Sequence, residues 1–472
     1  MGHLRAGAPP VSDRGIIIDL FAGGGGASTG LAAAVGRDPD VAMNHDPVAM
    51  AVYRANHTRT ICLPEDVWTT PPRKVVRLVR RGTRVWILWA SPDCTHFSKA
   101  KGGKPREKKL RSLAHVIVRY ARDVEPEIIC MENVEEFLDW GPLYEAGHVM
   151  PDGRVLQVGD KLINTPIPER AGEDFELWRG QLELLGYRLE WKILDASRFG
   201  APTRRKRLFI VARRDGMPIQ WPTPTHGPGL LALHTAAECL DWTIPVPSIF
   251  GRKRQLVPKT LWRVAQGVRK FVLETPTPFI VKVNHGGMED RSESIDAPLS
   301  TVTASRRGHA LVAAFLAKGY GGHASPGIRL DRPVDTITTQ DHHALARVEL
   351  CTAPLGHNRV AEVRAFLTTY YGGGSEGQRL DTPMRTITTK HRLGLVTVAG
   401  VDHTIVDIGL RMLEPHELLR AQFGRYADGY DLSAATSKAA KVRLIGNSVC
   451  PDVAEAVVRA NVGAEVAGRR AA

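Results

Sequence analysis

Gly15-Ile16-Ile17-Ile18-Asp19-Leu20-Phe21-Ala22-Gly23-Gly24-Gly25-Gly26-Ala27-Ser28-Thr29-Gly30-Leu31 reads as a buried strand that turns into a helix. The run from Ile16 to Phe21 is β-branched and apolar, the pattern of a strand covered on both faces. The glycines that follow let the backbone approach a ligand, and a helix start offers free N–H groups. The spacing departs from the dinucleotide fingerprint, because Gly24-x-Gly26 is followed by Thr29. A glycine-rich turn of this kind also serves tight packing alone.

Working outward, the strand-helix alternation continues. Val41-Ala42-Met43 is a second strand, ending at Asn44-His45-Asp46, with a helix from Pro47 to about Asn56. Glu65-Asp66 closes a third short segment, and Arg73 to Arg84 is expected to form a basic amphipathic helix. Val85-Trp86-Ile87-Leu88-Trp89 is a further buried strand that opens into Ala90-Ser91-Pro92-Asp93-Cys94-Thr95-His96-Phe97-Ser98. Ligands of open α/β sheets sit beyond the carboxyl ends of the strands. Cys94 therefore stands where a nucleophile would be placed, although a lone cysteine after a strand is more often an inert small hydrophobe. Glu127 to Met131 is a strand ending in Glu132-Asn133-Val134. A carboxylate there is either desolvated and suited to handling a proton, or a cap for the next helix. The predicted fold is α/β: a Rossmann-like, mostly parallel sheet with helices on both faces, and a smaller β-rich domain.

The chain has 472 residues, with 63 Lys+Arg against 50 Asp+Glu, a net charge of +13. That excess favours a polyanionic partner, nucleic acid before membrane. The six cysteines are scattered without a CxxC pair, which argues against disulfide scaffolds and zinc ribbons, and no metal is expected. No signal core or membrane-length apolar run is present, so a cytoplasmic protein is expected.

Arg204-Arg205-Lys206-Arg207 immediately precedes the strand Leu208 to Ala212, so some of these cations are expected to point inward. Pro218, Pro222, Pro224 and Pro228 suggest a linker. Three imperfect repeats follow, beginning at Phe279, Phe315 and Phe366. Each is expected to be a strand, a Gly-rich loop, a D-x-P turn and a Thr-rich strand (Thr301 to Thr303, Thr336 to Thr338, Thr386 to Thr388). Arg306, Arg307, His343, Lys390 and Arg392 follow the Thr strands and suit phosphates or base edges. A helical pattern returns at Leu413 to Phe423, before Gly446-Asn447-Ser448-Val449 and a helix from Pro451. The expected organisation is a catalytic domain over 1–215, a recognition domain over 216–405 and a return to the catalytic domain over 406–472.

In this order, Asp19-Leu20-Phe21-Ala22-Gly23-Gly24-Gly25-Gly26, Pro92-Asp93-Cys94-Thr95-His96-Phe97-Ser98, Glu132-Asn133-Val134, Arg204-Arg205-Lys206-Arg207 and Gly446-Asn447-Ser448-Val449 resemble the motifs of the DNA cytosine-5 methyltransferase family. The resemblance covers 15–215 and 405–460; the region between falls where that family keeps its target-recognition domain. It implies methyl transfer from S-adenosylmethionine to C5 of a flipped cytosine in duplex DNA. Cys94 would be the nucleophile, Glu132 would engage the N3 side of the ring, and Arg205 and Arg207 would support the base and the catalytic loop. Asp19, Phe21, Gly23, Gly24, Gly26, Asn44, His45, Asp66, Asn447, Ser448 and Val449 would line the cofactor. Ser98, Lys101 and Lys104 would meet DNA from the catalytic loop. The implied protein is a monomer on double-stranded DNA, with a cognate restriction endonuclease as a further partner.

Three positions depart from the family pattern. Asp93 directly precedes Cys94 where Pro is usual, Asn44 replaces the ribose-binding acid, and Thr203 replaces a Gln. They suggest a divergent branch of phage or prophage type. Competing readings are a tRNA cytosine methyltransferase, against which the long 215–405 region stands, a catalytically silent DNA-binding relative, against which intact Cys94 and Glu132 stand, and an NAD-dependent oxidoreductase, in which those motifs have no role.

Overall fold

The computed structural model describes residues 14–79, 84–92, 112–144, 148–149, 157–158, 161–162, 165–273, 279–282, 292–293, 309–318, 327–339, 343–351, 359–371, 395–398 and 401–462. Two compact units divide the chain: residues 1–233 with 422–472, and residues 234–421.

The first unit is built on a seven-stranded sheet. Its strands are β1 (Ile16–Leu20), β2 (Val41–Met43), β3 (Ile61–Leu63), β4 (Val85–Ala90), β5 (Ile128–Asn133), β6 (Arg188–Asp195) and β7 (Lys206–Arg213), in the order β6-β7-β5-β4-β1-β2-β3. Strands β1 to β5 pair in parallel, while β7 runs antiparallel to both β5 and β6. The uninterrupted apolar strands are buried on both faces, as the sequence predicts. Alternation then sorts their side chains into two cores. Ile16, Ile18 and Leu20 enter one core with Ile129, Met131, Leu208 and Ile210. Ile17 enters the other with Trp89, Cys130, Phe209 and Val211. This second core is covered by α1 (Gly26–Val35) and α10 (Pro451–Asn461), which bring Leu31, Val453 and Val457 onto the sheet.

The basic helix expected over 73–84 is shorter, α3 (Pro72–Arg77). The proline-rich stretch after 218 is tied to the first unit. Ile219 lies in its core, and Gln220 exchanges hydrogen bonds with the Asn461 side chain. The remaining helices of this unit are α2 (Pro47–Asn56), α4 (His115–Val124), α5 (Glu173–Leu184) and α9 (Lys438–Asn447). Among the described residues no helix is long and apolar enough to cross a membrane.

The second unit is an antiparallel sheet of β8 (Phe279–Lys282), β9 (Ser292–Glu293), β10 (His309–Lys318), β11 (Gly327–Arg329), β12 (His343–Cys351), β13 (Leu395–Val398) and β14 (Val401–Met412). The order is β9-β8-β10-β12-β14-β13, with β11 on β10. Two helices, α6 (Pro258–Val268) and α7 (Val360–Tyr371), supply Val264, Ala265, Val268, Val363, Phe366 and Leu367 to its core. Gly267 brings α6 close to the sheet, since a Cβ there would collide with the Phe315 ring. The buried Arg411–Glu417 pair (2.7 Å) ends β14, where Glu417 also accepts the Asp241 and Glu414 backbone N–H groups. A helix, α8 (Pro415–Phe423), carries the chain from residue 421 to 422.

Two expectations for the repeats fail here. Phe366 was expected to open a strand, but it sits in α7. Val363, Phe366 and Leu367 recur at helical spacing, and that stripe buries against the sheet. Thr336 to Thr338 form no strand. Ile337 alone is buried, and the segment is held as an irregular connection between β11 and β12.

Candidate active site

The glycine turn between β1 and α1 is built by backbone geometry. Phe21 adopts φ 60, a left-handed conformation unusual for a bulky residue, and the Ala22 N–H then reaches the Met43 carbonyl at 3.0 Å. Gly25 has φ 92, which favours glycine. The glycines do different work. A Cβ on Gly23 would meet nothing within 4 Å, so this residue borders open space. A Cβ on Gly24 would press on Ser448 Oγ at 3.1 Å, and one on Gly26 would collide with the Val449 carbonyl. Gly24 and Gly26 therefore admit the Gly446-Asn447-Ser448-Val449 segment, whose Ser448 and Val449 are buried while Asn447 is exposed. Gln422 Nε2 donates to the Ser448 carbonyl at 2.7 Å and fixes that segment. Tyr430 donates its hydroxyl to the Gly24 carbonyl, and a Cβ on Gly25 would run into this hydroxyl and the His57 ring.

Asp19 shares the Ile17 face of β1 and is 1% exposed. Tyr53 donates to Ser28 Oγ (2.5 Å), which donates to Asp19 Oδ2 (2.6 Å). Asp19 Oδ1 has no hydrogen-bond partner among the described residues. Burial pushes the Asp19 carboxyl up to about 7, against a smaller lowering by the Ser28 hydrogen bond.

At the end of β2, Asn44 is half-buried and His45 exposed. Asn44 Oδ1 accepts the Asp46 N–H at 2.9 Å. Asp46 caps α2 by accepting from Val48 N–H at 2.9 Å and pairs with Arg443 at 2.8 Å. Burial would raise its carboxyl, but those hydrogen bonds and Arg443 hold it below the usual range. After β3, the exposed Asp66 accepts the Trp68 N–H at 2.8 Å. That turn is gripped from α4. Arg119 donates to the carbonyls of Trp68 (2.6 Å), Val67 (2.6 Å) and Thr70 (2.9 Å).

Glu132 lies at the carboxyl end of β5, 7% exposed. It pairs in register with Phe209, so odd-numbered residues of β7 share its face. Arg207 Nε stands 3.4 Å from Glu132 Oε1 and Arg205 Nη2 3.8 Å. Arg204 and Lys206 are exposed. The cation run thus divides by strand alternation, as expected. Arg205 also donates to the Gly446 carbonyl at 3.1 Å, which ties Glu132 to the segment under the glycine turn. Asn133 Nδ2 donates to the Pro92 carbonyl at 3.3 Å, so the end of β5 holds the chain just before residue 94.

Cys94, Asp93, Ser98, Lys101, Lys104, Arg306, Arg307, Lys390 and Arg392 lie outside the described residues. His343, expected to meet DNA, is 1% exposed. It begins β12 opposite Lys318, and its carbonyl accepts the Leu413 N–H at 3.3 Å. Its place in the sheet removes it from any surface. Tyr430, His57 and Arg119 were not singled out from the sequence. None lies in a motif, and only the folded chain brings them to the strand ends.

Residues 16–141 and 167–240 match the family model described as C-5 cytosine-specific DNA methylase. That match falls almost wholly within the first unit and supports this family for it. Among curated relatives, the chain is 27% identical over 213 residues to the Type II methyltransferase M.AquIA of Picosynechococcus sp., covering 45% of this chain and 77% of that one. It is 29% identical over 211 residues to the Type II methyltransferase M.AgeI of Thalassovita gelatinovora, covering 44% and 42%. The matched stretch thus spans most of the first relative and less than half of the second. A solved Spodoptera frugiperda DNMT2 mutant superposes with a TM-score of 0.49 at 16% identity, over 93% of this chain and 97% of that one.

Proposed function

We propose that this methylase transfers a methyl group from S-adenosylmethionine to C5 of a flipped cytosine within a specific sequence of duplex DNA. The observation that carries the reading is the Glu132–Arg205–Arg207 group. It is a buried carboxylate whose Oε1 accepts no hydrogen bond among the described residues, at the strand end beside the chain leading to Cys94. An acid held there is suited to donate to N3 of a cytosine while Cys94 Sγ bonds to C6. The ring electrons then make C5 nucleophilic. After C5 takes the methyl group, loss of the C5 proton expels the Cys94 thiolate and restores the double bond. Arg207 faces the same oxygen and orients it, and Arg205 acts as a positioning residue through Gly446.

The residues also fit the methyl donor. Gly23 borders open space, Asp19 Oδ1 is buried without a partner among the described residues, and Asn44, His45 and Asp66 ring the neighbouring strand ends. Asp19 with Phe21 and Gly23 would hold the methionine portion, and Asn44, His45 and Asp66 the nucleoside. Gly24, Gly26, Ser448 and Val449 would shape the turn from beneath. S-adenosylmethionine would supply an electrophilic methyl on its sulfonium. A cytoplasmic monomer acting on double-stranded DNA is the companion expectation.

The test is transfer of labelled methyl to mixed-sequence duplex DNA by the wild type and by Cys94→Ser. Transfer by the wild type alone, with a covalent adduct to 5-fluorocytosine DNA that Cys94→Ala lacks, is the expected result. An adduct formed equally by Cys94→Ala would refute the nucleophile. Transfer to tRNA but to no duplex would replace the DNA reading.

A further inference from the structure

Residues 251–273 read Gly-Arg-Lys-Arg-Gln-Leu-Val-Pro-Lys-Thr-Leu-Trp-Arg-Val-Ala-Gln-Gly-Val-Arg-Lys-Phe-Val-Leu. Seven are Lys or Arg (252, 253, 254, 259, 263, 269, 270) and none is Asp or Glu. The segment's charge of +7 therefore accounts for more than half of the protein's net +13, and it carries none of the family's motifs.

The structure sorts this charge by face. Val264, Ala265 and Val268 of α6, with Phe271 and Val272 just beyond it, are buried on the second unit's sheet. Gly267 lets the helix seat against Phe315. With that face fixed inward, Arg269 and Lys270 are exposed and Arg263 is half-exposed; Lys253 and Arg254 are exposed in the loop before the helix. Arg252 is consumed internally, since its guanidinium donates to the Ser248, Pro247 and Leu410 carbonyls and anchors that loop. Lys253, Arg254, Arg263 and Lys270 pair with no carboxylate among the described residues, whereas Arg329, Arg347 and Arg359 of the same unit each have an acidic partner. A concentrated set of cations without local counter-charges fits a linear polyanion. Arg263 and Lys270 are separated by about 10 Å of helix rise, or about three base steps of a DNA strand.

We infer that Lys253, Arg254, Arg263 and Lys270 form a sequence-independent clamp on the phosphate backbone of duplex DNA. The inference rests on the proposed DNA substrate and adds a contact surface to it. These residues set affinity and register, while base reading belongs elsewhere.

Binding of a fluorescent 30-base-pair duplex by anisotropy, from 50 to 300 mM salt, tests it in the full-length protein. The comparison is wild type against Lys253→Gln/Arg254→Gln/Arg263→Gln/Lys270→Gln. A control removes equal charge elsewhere: Arg170→Gln/Arg179→Gln/Arg188→Gln/Lys192→Gln. Each lost phosphate contact lowers the slope of log K against log salt by about 0.9, so the fourfold variant falls by about 3 to 4. The control stays near wild type, and turnover at saturating DNA and S-adenosylmethionine binding are unchanged. Should the fourfold variant misfold, Lys253→Gln/Lys270→Gln carries the test, with a fall of about 2. An unchanged slope, or an equal fall in the control, overturns the clamp while leaving the methylase reading intact. A slope change seen only with an RNA hairpin overturns the duplex assignment. Failure of the wild type to bind duplex DNA at all defeats the proposed function, and the clamp with it.

Discussion

Replacing Arg119 by Ala removes three charge-assisted hydrogen bonds to the turn at 67–70. A hydrogen bond with one charged partner contributes about 1.5–3 kcal/mol when buried. The Trp68 carbonyl is exposed and water replaces its donor, so the loss concentrates on the part-buried Val67 and Thr70 carbonyls. That leaves about 2–4 kcal/mol to hold the turn shut. Thr69 and Thr70 also donate backbone N–H groups to the Asp66 carbonyl, so loosening the turn moves the residue assigned to the nucleoside. If roughly half of that cost is recovered when the donor binds, S-adenosylmethionine affinity falls about 5- to 30-fold. Titration calorimetry measures the fall, and amide exchange at Thr69 and Thr70 reports the opening. Arg119→Lys restores part of the affinity, because an ammonium lacks the planar fork that spans several carbonyls. Unchanged affinity alongside faster exchange at those amides would refute the link between the turn and the donor.

Other positions separate packing from binding. Gly26→Ala should lower stability by about 1–3 kcal/mol through overpacking on Val449. Gly23→Ala should leave the melting temperature unchanged and weaken S-adenosylmethionine, and reversal of that order in melts and titrations contradicts the division among the glycines. Asp19→Asn tests the buried carboxyl. Its folded value near 7 lies above the usual 3.8, so the protonated acid contributes stability that is complete below about pH 4 and lost as pH rises through 7. Three units correspond to an upper bound of about 4 kcal/mol. The variant should therefore lose that pH dependence and melt higher than wild type at pH 8; an identical profile for both proteins counts against it. Glu417→Ala leaves Arg411 buried without its partner and should cost about 3–5 kcal/mol, read as a lower denaturant midpoint.

The first unit was largely legible because its signals are local. An uninterrupted apolar strand, a glycine turn and an acid at a strand end each declare themselves within ten residues. The placement of Arg204 to Arg207 directly before a buried strand likewise led to the expectation that some of them would point inward. What the sequence hid is long-range. Nothing near Gly24 and Gly26 in the sequence shows that Ser448 and Val449 pack against them. In the second unit the repeats misled, because similar sequence lies in different environments. Phe315 lies in a strand, yet Phe366 lies in a helix where Val363 and Leu367 complete an apolar stripe. His343 looked like a loop cation because nothing near it reveals that the sheet begins there.

The packing of Gly26 against Val449, of Gly30 against Pro451, and of Tyr430 beneath Gly24 bears on how the protein matures. A ribosome that has released 240 residues has made every strand of the large sheet. It has also made Cys94, the buried Glu132, Arg205 and Arg207, the residues proposed for the chemistry. The floor beneath the glycine turn is still unmade, and α1 lacks the helix that covers it. The first unit therefore holds its full sheet but is mechanically unfinished until residues 422–462 arrive, about two hundred residues later. Supplying that terminal segment in trans to a chain that lacks it should rebuild the turn, which makes the protein a natural candidate for a split enzyme assembled on demand.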